Sequence, residues 1–379
     1  MVYFDHNATT PVDESVMAAM LPYFVERFGN PSSRHQYGRQ ARQAVEEARE
    51  RVAASVGAHP SQVVLVSGGS EANNLAIRGL AASLSPAQLV CGSVEHPCVS
   101  GPCKDLKTQG WALRKVAVDR DGVYDLQDLA EALREPTGLV SLMLANNETG
   151  VLQDITAAAQ MARKAGAWIH TDAVQALGKM KVDFSSLGVH ALTLSGHKIY
   201  GPKGAGALIL DKRVELRPQL TGGGHERGLR AGTENVPAIV GFGVACELAA
   251  MRAETDATRL VLLQERLEAG VLALGGVIFG HEANRLPNTS FFAFPGIEGE
   301  TLLMALDRAG FAVASGSACS SSSTEPSAVL LAMGVEPELA RGAIRISLGR
   351  FSQIEEVERF IQVLPVELSR LRAMLSVAM

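Results

Sequence analysis

The sequence predicts an α/β protein with a large, mostly parallel seven-stranded sheet and a smaller α+β domain. Three observations predict this fold class. The chain has 379 residues, more than one ordinary domain requires. Between residues 62 and 210, short apolar runs alternate with amphipathic stretches, as they do when helices cover a parallel sheet. After about Thr255 this alternation ends, which indicates a second domain.

The sheet is predicted from apolar runs that are rich in Val, Leu and Ile, as buried strands are. These runs are 63–66, 88–91, 112–118, 138–145, 168–170, 191–194 and 206–210. Between them, apolar residues at spacings of three and four predict covering helices at 71–82, 125–134 and 154–164. The second domain is predicted to contain a helix over 255–274, strands at 276–279 and 289–294, a helix over 300–309 and a last helix from about 354.

Composition and charge limit the possible partners. The formal net charge of −5 is small and interspersed, so neither a nucleic-acid surface nor a basic membrane surface is expected. We expect no transmembrane helix and, from the acidic start at Asp5, no secretory signal, which makes the cytoplasm the expected location. Five irregularly spaced cysteines fit a reducing compartment better than a disulfide framework.

Small and polar residues directly follow the first predicted strand. Ser67-Gly68-Gly69-Ser70-Glu71 lies between that strand and a helix. Glycines let backbone N–H groups approach an anion, and the helix N-terminus adds partial positive charge, so a phosphate would be stabilised there. The alternative is a tight turn in which Ser70 caps the helix.

Two ionisable residues follow later strands. Asp172 could cap a helix, or could face a protonated ring nitrogen of a cofactor. Lys198, in a Gly-rich segment, could be an ordinary surface lysine, or a desolvated amine that forms a Schiff base. An anion turn, a strand-end Asp and a strand-end Lys follow one another in the order that a pyridoxal phosphate site requires.

The cysteines differ in their surroundings. Cys319 lies in the Gly- and Ser-rich segment 314–323, which predicts an exposed, reactive thiol. Cys91 and Cys246 lie in apolar runs and are expected to be inert core residues. Cys98 and Cys103, near His96, lack a fourth ligand at a usual spacing, so no metal site is predicted.

Segments along nearly the whole chain resemble those of the cysteine desulfurases of the NifS/IscS kind, which are pyridoxal phosphate enzymes of the aminotransferase class V group. The matching segments are 7–11, 28–31, 67–74, 95–96, 146–150, 172–175, 195–204, 222–227, 230–233, 315–319 and 344–350. The resemblance implies a fold-type-I, aminotransferase-like homodimer. It also implies a large cofactor domain over 13–254 and a small domain of residues 255–379 together with 1–12.

The resemblance also assigns roles to residues. Lys198 would hold pyridoxal 5′-phosphate as a Schiff base, Asp172 and Gln175 would contact its ring nitrogen and 3-hydroxyl, and His96 would stack on the ring with Asn147 nearby. Arg345 would bind the substrate carboxylate, for which a guanidinium is suited by its fork geometry. The residues matching phosphate contacts are Gly69, Ser70, Ser195, His197 and, from the neighbouring subunit, Thr233.

The implied reaction converts L-cysteine to L-alanine. Cys319 would attack the substrate sulfur, keep it as a persulfide and deliver it to an acceptor or scaffold protein, while Lys198 and His96 move protons. Iron–sulfur cluster assembly and tRNA thiolation both remain open as the destination of the sulfur. Two alternatives are another class V reaction, such as selenocysteine lyase or aminotransferase, and a cofactor-binding relay protein without turnover.

Overall fold

The computed structural model describes residues 1–316 and 325–378. The N-terminal part forms β1 (Val2–Tyr3), α1 (Glu14–Met20), α2 (Pro22–Val25) and α3 (Gln36–Ser55). The middle part forms β2 (Val63–Val66), α4 (Gly69–Ala81), β3 (Gln88–Gly92), α5 (Pro97–Thr108), β4 (Ala112–Val116), α6 (Leu126–Ala132), β5 (Thr137–Ser141), α7 (Ile155–Lys164), β6 (Trp168–Asp172), α8 (Phe184–Leu187), β7 (Ala191–Ser195) and β8 (Gly206–Leu210). The C-terminal part forms α9 (Val236–Ala273), β9 (Val277–Ile278), β10 (Thr289–Ala293), α10 (Gly299–Arg308), β11 (Phe311–Ala312), β12 (Ala314–Ser315), α11 (Ala328–Ala332), α12 (Pro337–Arg341), β13 (Ile344–Ser347) and α13 (Ile354–Ala378).

The large sheet has seven strands in the order β2-β8-β7-β6-β5-β3-β4. Only the pairings of β8 with β2 and β7 are antiparallel among them. The seven predicted strands and the mostly parallel arrangement are therefore confirmed. The strand ends differ from the prediction by at most two residues, except that the run 138–145 is a strand only to Ser141. Beyond it, the N–H of Met143 donates to the buried carboxylate of Glu95 instead of to a neighbouring strand.

Helix α9 differs from the prediction. It begins at Val236, and the expected start near residue 255 is wrong. Its first part packs in the core beside the large sheet, where Phe242 and Cys246 are buried, and its second part packs in another core through Leu267 and Val271. The helix is thus apolar on both sides of the predicted domain boundary at 254/255, which itself remains a prediction.

By length and composition alone, α9 could also cross a membrane. However, 61% of its most apolar 18-residue window is buried inside the protein, as in the core helix of a packed domain.

The smaller sheet has the antiparallel order β12-β13-β10-β9, and β1 pairs with β11 beside it. The side chain of Phe4 packs edge-on against Phe360 and lies 6.1 Å, between ring centroids, from Phe311. The N-terminal strand is therefore part of the same core as the C-terminal elements.

The fold brings the N-terminal segment across the carboxyl edge of the large sheet. Thr10 N–H donates to the carbonyl oxygen of His197 at 2.9 Å, and Asp13 N–H donates to that of Tyr200 at 2.9 Å. Ligands bind at this edge in open parallel sheets because strand carboxyl ends and helix N-termini meet there. The N-terminal segment thus closes one side of the region where β2, β6 and β7 end.

Candidate active site

A cavity of about 600 Å³ lies at the carboxyl edge of the large sheet. It brings together ten of the predicted site residues: Gly69, Ser70, His96, Asn147, Asp172, Gln175, Ser195, His197, Lys198 and Arg345. Thr233 is exposed and does not line this cavity. Cys319 lies outside the described residues. Within the parts of the chain that the structure describes, no group of three metal-ligating side chains occurs.

One end of the cavity is suited to an anion. Helix α4 begins at Gly69 with Gly68 as its N-cap, so the alternative reading of Ser70 as the cap is wrong. Gly68 has φ 155°, which side chains rarely adopt, and a Cβ on Gly69 would lie 2.9 Å from Val174 Cγ2. The two glycines therefore permit the turn that exposes the first N–H groups of α4.

The hydroxyl of Ser195 completes this end. Its Oγ atom is buried and has no hydrogen-bond partner among the described residues. His197 lies beside it with Nδ1 3.2 Å from Thr9 Oγ1, and burial, together with Lys198 and Lys203, lowers the pKa of His197 to about 4. His197 is therefore neutral at pH 7.

Asp172 lies at the end of β6, 6% exposed. Its Oδ1 accepts from the N–H of Val174 at 2.9 Å, and its Oδ2 accepts from Asn73 Nδ2 at 2.6 Å. Burial raises the pKa of the Asp172 carboxyl, while these hydrogen bonds and Lys198 oppose that shift. No helix follows it directly, so Asp172 does not cap one. A cationic ring nitrogen in the cavity would stabilise its ionised form.

His96 caps α5 and is held in one tautomer. Its Nδ1 accepts from the N–H of Cys98 at 3.2 Å and lies 2.8 Å from Cys98 Sγ. Burial raises the pKa of the Cys98 thiol to about 12, so the thiol keeps its proton and donates it. Burial also lowers the pKa of His96. Because Nδ1 is an acceptor in a neutral ring, Nε2 carries the proton.

Asn73 joins these two residues. Its Nδ2 donates to Asp172 and also lies 3.0 Å from Cys98 Sγ. The chain Asp172–Asn73–Cys98–His96 therefore connects the carboxylate at the end of β6 with the imidazole at the start of α5.

Lys198 ends the short helical turn that follows β7. Its Nζ donates to the backbone carbonyl oxygens of Asn7 at 2.7 Å and Ala8 at 2.8 Å. These two carbonyl groups orient the amine beside the cavity. The amine is thus held between the sheet edge and the N-terminal segment.

Arg345 lies on β13 and is 4% exposed. Its Nη1 donates to the carbonyl oxygen of Asn147 at 2.9 Å, and its Nη2 donates to Asp5 Oδ1 at 2.7 Å. The Nε atom is buried and has no acceptor among the described residues. A fixed guanidinium with an unused N–H in a cavity wall is suited to binding a carboxylate.

The residues present fit a planar, phosphate-bearing heteroaromatic cofactor. An anion end, a buried carboxylate and an amine line one cavity, and Ser195 Oγ and Asn73 Oδ1 are buried there without partners in the described chain. Unsatisfied buried polar atoms are costly, so a ligand that supplies their partners would bind favourably.

Comparison with known proteins places the chain in a family. The model of the aminotransferase class-V family matches residues 2–360. Cysteine desulfurase NifS of Azotobacter vinelandii is 44% identical over 375 residues, covering 98% of this chain and 93% of the relative. A solved NifS-like protein has a TM-score of 0.93 and 37% identity, covering 98% of this chain and 100% of that chain. A solved complex of SspA with cysteine has a TM-score of 0.82 and 34% identity, covering 93% of this chain and 100% of that chain.

The chain therefore belongs to the aminotransferase class-V family. Within that family it falls in the cysteine desulfurase group of the NifS/IscS kind, as the resemblance of its motifs predicted.

For three residues of the site, no role was predicted from the sequence. Asn73 could have been found from helical spacing, because it lies three residues after Ser70 and such pairs share a helix face. Asn7 contacts the site through its backbone, which no residue-type pattern reveals. Lys179 contacts Asn7 and Gln175, and its sequence surroundings give no comparable signal.

Proposed function

We propose that this protein is a pyridoxal phosphate-dependent cysteine desulfurase, which converts L-cysteine to L-alanine and passes the sulfur to an acceptor. The observation that carries the proposal is the position of Lys198. Its amine lies at the edge of a cavity that has an anion site at α4 and a buried guanidinium, Arg345, in its wall. Such a cavity accommodates both a phosphorylated cofactor and an amino-acid carboxylate.

Pyridoxal phosphate would be held by residues at the carboxyl edge of the large sheet. Gly69, Ser70, Ser195 and His197 would bind its phosphate, Asp172 its ring nitrogen and Gln175 its 3-hydroxyl, with Lys198 as the covalent attachment. When bound, this cofactor supplies an electron sink for bond cleavage at the amino acid.

The other groups act on the substrate. Arg345 is fixed by Asp5 and Asn147 and would bind and orient the cysteine carboxylate. The Lys198 amine would move the proton at the substrate carbon. The neutral His96 would donate the proton on its Nε2 atom. The hydrogen bonds between its Nδ1 atom and Cys98 would hold the ring in place.

The sulfur step requires Cys319. In the proposed step, the Cys319 thiolate attacks the substrate sulfur, the carbon–sulfur bond breaks and its electron pair remains with the carbon fragment that becomes alanine. Ala314 pairs with Arg345 across β12 and β13. Cys319 is four residues beyond Ser315, and four residues of extended chain span at most about 14 Å. The proposal requires the thiol to enter the cavity within that span.

A homodimer is part of the proposal. Thr233 is exposed in the single chain, as expected of a residue that completes a partner's site. Large apolar side chains are also exposed near the N-terminus, namely Leu21, Phe24, Val25 and Phe28. We place the enzyme in the cytoplasm, with iron–sulfur cluster assembly or tRNA thiolation as the use of its sulfur. Selenocysteine lyase remains the second candidate activity.

The proposal is tested by product analysis with the purified protein, pyridoxal phosphate, L-cysteine and a thiol reductant. We expect alanine and sulfide in equal amounts. Cys319→Ala should abolish sulfide formation but leave the absorbance of the bound cofactor unchanged, whereas Cys246→Ala, a change at a buried cysteine, should retain activity if the protein folds. Unchanged sulfide formation in Cys319→Ala would exclude the persulfide route. Preferential turnover of L-selenocysteine, with little of L-cysteine, would favour the second candidate.

A further inference from the structure

Lys179 is a second lysine beside the cofactor cavity. Its Nζ donates to Asn7 Oδ1 at 2.8 Å and to Gln175 Oε1 at 2.5 Å. Both acceptors are neutral amide oxygens. Burial, reinforced by Lys198 and Arg345, lowers the pKa of Lys179 well below its usual range. His6 is the other titratable group that senses Lys179, and it is also buried. Burying a lysine among cationic neighbours costs free energy, which the hydrogen bonds to Asn7 and Gln175 partly offset.

These contacts determine the orientation of the Gln175 amide. As an ammonium group, Lys179 only donates hydrogen bonds, and the amide atom of Gln175 that faces its Nζ is the oxygen. On its other side, Gln175 Nε2 donates to the carbonyl oxygen of Asn7 at 3.0 Å, and a carbonyl can only accept. Two independent partners therefore select the same orientation, with the NH₂ group of Gln175 on the side of Asn7.

Asn7 is fixed by the same lysine. Its Oδ1 accepts from Lys179 and from Asn288 Nδ2 at 3.1 Å, and its Nδ2 donates to Thr289 Oγ1 at 2.8 Å. The backbone carbonyl of Asn7 accepts from both Lys198 and Gln175. Lys179 therefore stabilises the residue to which the Schiff-base lysine and Gln175 are both hydrogen-bonded.

We propose that Lys179 is a positioning residue, which holds Gln175 with its NH₂ group turned to donate to the cofactor 3-hydroxyl and holds Asn7 beneath the Lys198 amine. This inference rests on the proposed function. Without Lys179, the Gln175 amide keeps its hydrogen bond to the Asn7 carbonyl but loses the one at its oxygen, and Asn7 itself loses a partner. The amide is then less firmly held, and a rotated amide would present its oxygen to an acceptor, which removes a hydrogen bond and adds repulsion. Lys179 acts through Gln175 and Asn7 and does not touch the reacting atoms.

A double-mutant cycle on cofactor binding tests the proposal. The variants are Lys179→Met, Gln175→Ala and the double variant, and the matched control is Lys181→Met, which changes an exposed lysine two residues away. The two readouts are the dissociation constant of pyridoxal phosphate and the pH midpoint of its absorbance in the protein. Lys179→Met should raise the dissociation constant of pyridoxal phosphate about tenfold, which corresponds to a loss of about 1.4 kcal/mol of binding free energy. It should also shift the pH midpoint of the absorbance. Lys181→Met should change neither quantity.

The cycle separates positioning from a general structural effect. If Lys179 acts through Gln175 and Asn7, Lys179→Met should change both readouts less in the Gln175→Ala background than in the wild type, because the contribution through Asn7 is then the one that remains. Fully additive effects, or wild-type readouts in Lys179→Met, would overturn the proposal. If Lys179→Met does not fold, Lys179→Gln replaces it in the cycle. Glutamine is uncharged like methionine and shorter than lysine, and this variant should show the same loss of pyridoxal phosphate affinity. A wild-type protein that binds no cofactor at all would instead refute the proposed function.

Discussion

The Nζ atom of Lys198 lies 2.7 Å from the backbone carbonyl oxygen of Asn7, a residue 191 positions earlier in the chain. The N-terminal segment is therefore part of the active site as well as of the smaller core. Asp5 of the same segment forms an ion pair with Arg345, and β1 anchors the segment by pairing with β11. The segment therefore contacts both the amine and the guanidinium of the site.

Asn73 should control the charge of Asp172. Asn73→Ala removes the 2.6 Å hydrogen bond to Oδ2, so the pKa of the buried carboxyl should rise further and its hold on the cofactor should weaken. A hydrogen bond to a charged group contributes about 1.5–3 kcal/mol, so the dissociation constant of pyridoxal phosphate should rise at least about tenfold. Fluorescence titration of the apoprotein measures this, with Asn74→Ala on the same helix as the control. Equal, small effects of both changes would contradict the assigned role of Asn73.

Arg345 should act mainly in substrate binding. Arg345→Lys keeps the charge but loses the planar fork, so we expect the KM for L-cysteine to rise about 10- to 100-fold with a smaller change in kcat. Steady-state alanine formation gives both constants. Arg341→Lys, at an exposed position on α12, is the control and should leave KM unchanged. An unaltered KM in Arg345→Lys would place the carboxylate elsewhere.

The buried ion pair of Arg49 and Glu226 should be a major contribution to stability. Arg49 Nη1 and Nη2 lie 2.7 and 2.8 Å from the two carboxylate oxygens of Glu226, which also accepts from the N–H of Leu65 at 2.8 Å. Removing one partner leaves the other charge buried, so Arg49→Ala should lower the free energy of unfolding by about 3–5 kcal/mol. In urea denaturation, Arg42→Ala, which breaks an exposed pair on the same helix, should cost less than about 1 kcal/mol. Similar losses for both variants would contradict this interpretation.

Glu148 should make stability depend on pH. Burial raises its pKa to about 7, against the opposing effects of Ser327 and Arg345. The folded state therefore binds the proton more tightly than the unfolded chain, and this stabilisation is complete below about pH 4.5 and lost as the pH rises through about 7. The free energy of unfolding should fall by up to about 3 kcal/mol over this window.

Urea denaturation at about pH 5 and about pH 8 measures this change. The decline should be smaller in Glu148→Gln than in the wild type, and Glu282→Gln, at an exposed position, should decline as the wild type does. A decline of equal size in Glu148→Gln would show that another group is responsible.

The large sheet and the position of its site were predictable because local patterns encode them. Apolar runs define the strands, and the residues that directly follow them, such as Ser67, Asp172 and Lys198, must meet at one edge when strands are parallel. The length of α9 was not predictable in the same way, because its apolar residues face different cores on the two sides of residue 255.

The contacts of Asn7 and Lys179 could not be predicted for a different reason. They depend on the pairing of β1 with β11, about three hundred residues apart, and on backbone carbonyl groups that every residue carries. The Asn73 contact was accessible from helix periodicity, but its partner Asp172 lies on a strand whose distance from α4 no local pattern specifies.

Borohydride reduction of the pyridoxal phosphate-loaded protein, followed by peptide mapping, tests the central claim most directly. The reduced cofactor should be found on Lys198 alone, and Lys198→Ala should lose both the label and the yellow absorbance. Label on Lys179, on Lys203 or on no lysine would contradict the assignment of Lys198 as the amine of this active site.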